Sequence, residues 1–141
     1  MLHLRALLVA ALLPAIPLSL AAAAAEPGLA ERVLAQPVRP PPKNCDSADR
    51  LGLELCAVAR FRAADAELNK IYRELITRVG ADEKNRALLR GAQHAWLAYR
   101  DKTCAWESDL ARGGSAATLY AVNCLADVTA ARVDSLKENI H

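Results

Sequence analysis

Residues 104–124 read CAWESDLARGGSAATLYAVNC, and this stretch decides the fold. Cysteines close both ends, Gly113 and Gly114 sit at the middle, and the residues between are mostly helix formers. In an antiparallel helical hairpin, positions equidistant from the turn face each other. Cys104 and Cys124 are equidistant from Gly114, so a bridge between the two helices meets the need for Cα atoms about 5.5 Å apart. Ser115, just past the glycines, is a suitable N-cap for the second helix.

The same code extends upstream. Alanine, leucine, glutamate, lysine and arginine dominate from residue 45 onward, with no β-branched alternation. Glycine marks the breaks at Gly52, Gly80 and Gly113-Gly114, and Asp82 is a good N-cap after the second of them. This predicts a short helix near 47–57 and longer ones near 59–79, 83–110 and 115–139. Three of these carry apolar stripes at 3-4 spacing. Phe61, Ala64, Leu68, Ile71, Leu75 and Val79 form one, and Leu119, Val122, Ala126, Thr129, Val133, Leu136 and Ile140 another. Leu88, Ala92, Ala95, Tyr99, Trp106 and Leu110 are expected to be the third. The fold class is therefore all-α, a small antiparallel bundle of three to four helices. Glycine breaks leave too few heptads per helix for an extended coiled coil. So small a core suits covalent staples.

Cys45 and Cys56 are the remaining cysteines. On one continuous helix they would be about 16 Å apart, too far to bond. A bend between them, at Gly52 or at the Cys45-Asp46-Ser47 entry, makes the pair feasible. The expected connectivity is thus 45–56 with 104–124. Four cysteines in a small exported chain favour disulfides over metal. Without C-x-x-C pairs, neither zinc nor c-type haem is expected, and no cofactor is.

Export itself is read from residues 1–25. Arg5 is followed by an uncharged run to Ala25, with Pro14 and Pro17 inside it and small residues at Ala23 and Ala25 before Glu26. That is the pattern of a signal peptide, with no cysteine near the cleavage site to take a lipid. No membrane anchor is expected after cleavage, and the chain is placed in the periplasm or secreted. Losing Arg5 lowers the formal charge of +2 by one. This near balance argues against nucleic acid or anionic membrane as an obligatory partner. All seven prolines lie at or before Pro42. Residues 26–44 read as a flexible Pro-rich segment, extended over QPVRPPPKN (36–44), with 26–35 forming a turn of helix or nothing fixed, and the folded domain runs from Cys45 to the C-terminus.

The polar residues of the middle helices fall into phase. Gln93, Trp96 and Arg100 share one face, as do Asp65, Asn69 and Tyr72 on the helix before. Pairing these helices about a turn near residue 81 brings Asp65 to Arg100 and Asn69 to Gln93, a structural polar seam. His94 and Asp101 fall off that face and are expected to be solvated. No nucleophile-base set or phosphate loop is assembled, so an enzyme is not expected. The turn Arg112, Gly113, Gly114 and Ser115 is the candidate partner-binding element: a tight protrusion with Arg112 at its tip, braced by the 104–124 bridge.

The order Cys45, Cys56, Ala64-Asp65, Leu68-Asn69, Tyr72, Gln93, Trp96, Tyr99-Arg100-Asp101, Cys104, Gly113-Gly114-Ser115, Cys124, Thr129, Arg132 and Leu136 resembles the LprI-like lysozyme-inhibitor domain over about 45–140. The resemblance implies a non-enzymatic protein that binds and inhibits lysozyme in the envelope or outside the cell. The alternative is a periplasmic interaction module with another protein partner.

Overall fold

The computed structural model describes residues 26–46, 48–111, 114 and 116–140. The expected signal peptide lies outside the described residues. Four helices follow in order: α1 (Leu29–Leu34), α2 (Arg50–Val79), α3 (Glu83–Asp109) and α4 (Ala117–Lys137). The fold is all-helical, with no strand among the described residues, and two disulfides staple it.

Each long helix has a local reason to begin and end. Asp49 caps α2 by accepting from the Gly52 amide at 2.8 Å, and Asp82 caps α3 by accepting from the Asn85 amide at 3.0 Å. Gly80, at φ 63°, takes a positive-φ conformation open to glycine, and α2 ends there. The two helices expected over 47–79 are one, because nothing after Asp49 breaks the hydrogen-bond ladder and Gly52 sits inside the first turn. Gly52 is needed there for room, since an added Cβ would lie 2.7 Å from the Ala48 Cβ. The chain bends just before α2, which brings Cys45 back to Cys56 at a Cα separation of 6.1 Å.

The bundle is centred on α4, which packs along both α2 and α3. Buried Phe61, Leu68, Ile71 and Leu75 of α2 meet Val122, Leu125, Val133 and Leu136 of α4. Cross-links from α2 to α4 and the residues just after it keep sequence offsets of 62 to 70, so these helices run parallel, while α3 is antiparallel to both. The hairpin bridge Cys104–Cys124 closes at a Cα separation of 5.4 Å.

Two expectations are corrected. Residues 26–44 do not form a uniformly flexible segment. Helix α1 buries Ala30 and Val33 in the core beside Phe61 and Cys104, and Arg62 of α2 donates to the α1 carbonyl of Val33 and to Gln36 O, at 3.3 and 2.7 Å. A cation at a helix C-terminus satisfies carbonyls that the helix leaves open. The apolar stripe on α3 is the second correction. Its interior is Gln93, Arg100 and Cys104, with Leu89 and Trp96 partly buried, and the expected core residues face outward.

Candidate functional site

The buried polar residues come first, because they decide how α3 is turned. Arg100 is buried and its guanidinium is held from four sides. Its Nη1 donates to Asp65 Oδ1 at 3.4 Å and its Nε to Asp101 Oδ1 at 3.0 Å. Its plane also lies 5.6 Å from the Phe61 ring centroid and 5.3 Å from that of Trp96. Arg132 of α4 covers Trp96 as well, at 5.7 Å. Burial pushes the Arg132 pKa below its ordinary value. Stacking on an aromatic ring and a fork of donors suit arginine to such a place, and lysine would not replace it.

The pairing differs in part from that expected. Asn69 donates to Asp65, through its backbone oxygen at 2.8 Å and Oδ2 at 2.9 Å. Gln93 Oε1 instead accepts from Arg132 Nη2 and Nε at 3.3 and 3.4 Å. The reason is the central position of α4, which is closer to Gln93 than α2 is. Asp101, expected to be solvated, is mostly covered and lies against Gly28 at the start of α1. A Cβ at Gly28 would stand 2.0 Å from Asp101 Oδ2, so a side chain there requires the carboxylate to move. His94 is exposed. Asp65 and Asp101 thus both serve Arg100, and all four cysteines are in bridges. No group of three or more metal-ligating side chains occurs among the described residues.

The polar face inward leaves an apolar face outward. Leu88 is 64% exposed, Tyr99 57%, Trp106 62% and Leu110 71%. Cys104 fixes the phase: at 100° per residue, Trp106 lies about 200° around the helix from the bridge. Near the hairpin end, Trp106, Glu107, Leu110 and Ala111 of the α3 side and Tyr120 of α4, itself 58% exposed, line an open groove of about 530 Å³. Exposed large apolar side chains gathered in one place mark an interaction surface more often than isolated ones do. Both walls of the groove belong to helices tied by Cys104–Cys124, so their relative position is preset.

Of the candidate turn, Gly114 is described, and its amide donates to Ala111 O at 2.9 Å; Arg112, Gly113 and Ser115 lie outside the described residues. A second, smaller groove of about 340 Å³ runs along the other bridge, beside Cys45, Leu53, Cys56, Arg60 and Asn123. Arg60 pairs there with Asp127, both well exposed, an arrangement that contributes little to stability.

Among known proteins, the family model described as lysozyme inhibitor LprI matches residues 43–136. An uncharacterised protein of Rhizobium meliloti (strain 1021) is 36% identical over 111 residues, covering 71% of this chain and 80% of its own length. No solved structure matches.

Proposed function

The chain belongs to the lysozyme inhibitor LprI family, and from that premise we infer that it is an exported, non-enzymatic protein that binds lysozyme and blocks it. The observation that carries this reading is the groove between Trp106 and Tyr120. Binding energy at protein interfaces concentrates in a few aromatic and arginine anchors, and this groove offers two aromatic rings on helices already locked together. Little ordering entropy is lost when such a surface docks. Arg112, in the segment joining α3 to α4, is the candidate cation for the carboxylate pair on which lysozyme catalysis depends.

Export is part of the proposal. Two disulfides support an oxidising compartment, and no described helix is long and apolar enough to cross a membrane. Residues 1–25 are read as the signal peptide that takes the chain there. The direct test is a turbidity assay of cell-wall lysis with the purified mature protein against several lysozyme types. Slowed clearing at micromolar protein is expected with at least one type. Unaltered clearing with all of them removes the lysozyme reading.

A further inference from the structure

The outer face of α3 carries a periodicity that the bundle leaves unused. Leu88, Ala92, Ala95, Tyr99, Lys102 and Trp106 follow at 4-3-4-3-4 spacing, the seam pattern of a helix packed lengthwise on another helix. All six are exposed. Gly91 beside them has open space, with nothing within 4 Å of where a Cβ would stand.

We propose that a second copy of the chain covers this seam, with the two α3 helices antiparallel about a two-fold axis between Ala95 and Tyr99. The seam is self-complementary in that register. Leu88 faces Trp106 of the second copy, Ala92 faces Lys102, and Ala95 faces Tyr99, each contact occurring twice as two-fold symmetry requires. Every layer sets a bulky side chain on a slimmer one. Lys102 lays its aliphatic stem over Ala92 and keeps its ammonium in water. Leu110, beyond the seam, meets the stem of Lys84. A parallel pairing fails on the same residues, because it stacks Trp106 on Trp106 and Lys102 on Lys102.

The area sets the strength. Aromatic side chains offer about 150–250 Å² each when fully uncovered, so Tyr99 at 57% and Trp106 at 62% exposure present roughly 180–300 Å² per copy. With Leu88 and the two alanines added, the pair stays below the roughly 1,200 Å² at which standard interfaces begin. The dimer is therefore weak and concentration-dependent. Trp106 belongs both to this seam and to the groove assigned to lysozyme, so a second copy and lysozyme exclude each other. The self-association does not rest on the lysozyme reading and is tested without it.

Light scattering on the exported protein should give the monomer mass at low micromolar concentration and a rising mass at hundreds of micromolar. Leu88→Glu should hold the mass at monomer throughout with unchanged helicity. Register is tested by oxidative cross-linking, since the native cysteines are all bridged. Ala95→Cys mixed with Tyr99→Cys should yield a cross-linked pair, whereas Ala95→Cys alone should not. A monomer mass at every concentration overturns the proposal, and so does Ala95→Cys cross-linking to itself in place of Tyr99→Cys.

Discussion

Trp106 of α3 and Tyr120 of α4 line one groove from opposite sides of the hairpin end, each more than half exposed. Neither ring belongs to the buried core, so replacing them separates binding from folding. Trp106→Ala with Tyr120→Ala should leave stability within about 0.5 kcal/mol of the parent. The same pair should weaken lysozyme binding by at least about 2 kcal/mol, roughly 30-fold in Kd. Titration calorimetry beside a denaturant melt reads both quantities.

Arg100 is predicted to be the most sensitive polar residue. Arg100→Met removes the cation shared by Asp65 and Asp101 and leaves two largely covered carboxylates without it. The expected loss is about 3 kcal/mol, a fall in Tm of more than about 10 °C for a domain of this size. Asp65→Asn keeps the shape and should cost less than half as much.

Two glycines should respond in opposite directions. Gly28→Ala pushes the Asp101 carboxylate aside and should loosen α1, which buries Ala30 and Val33, at a cost of about 0.5–1 kcal/mol. Limited proteolysis would then cut within residues 27–36. Gly91→Ala meets open space in the middle of α3 and should raise stability by about 0.5–1 kcal/mol, since glycine is a poor helix residue.

Removing the hairpin bridge tests the brace. Cys104→Ala with Cys124→Ala opens a loop of sequence separation 20 and should cost about 3 kcal/mol in the chain-entropy model. Lysozyme binding should fall further than stability alone explains, because the two walls of the groove lose their fixed separation. Binding measured well below the variant's Tm makes that comparison.

The sequence was most legible where one helix face was continuously apolar. The stripes from Phe61 to Leu75 and from Val122 to Leu136 became the core as read, and the hairpin geometry of Cys104 and Cys124 was sound. On helix α3 the polar face with Gln93 and Arg100 is buried in the phase the seam required, and only the apolar stripe, which points outward, was misread as core. The signal for the right phase was present, since Cys104 must face Cys124 and so turns Trp106 away. Helix α1 was legible only as a choice between a turn of helix and unfixed chain, because six residues with two apolar anchors, Ala30 and Val33, are too short for periodicity to register. The partner of Gln93 was missed because facing positions were matched between adjacent helices, whereas Arg132 reaches it from α4.

The most direct measurement is cell-wall lysis followed by turbidity, with mature protein kept at low micromolar concentration so that the groove is free. The parent protein is predicted to slow clearing by at least one lysozyme type, and the folded Trp106→Ala, Tyr120→Ala variant to leave clearing nearly as fast as lysozyme alone. Equal protection by parent and variant contradicts the groove as the binding surface. No protection by the folded parent against any lysozyme contradicts lysozyme binding itself.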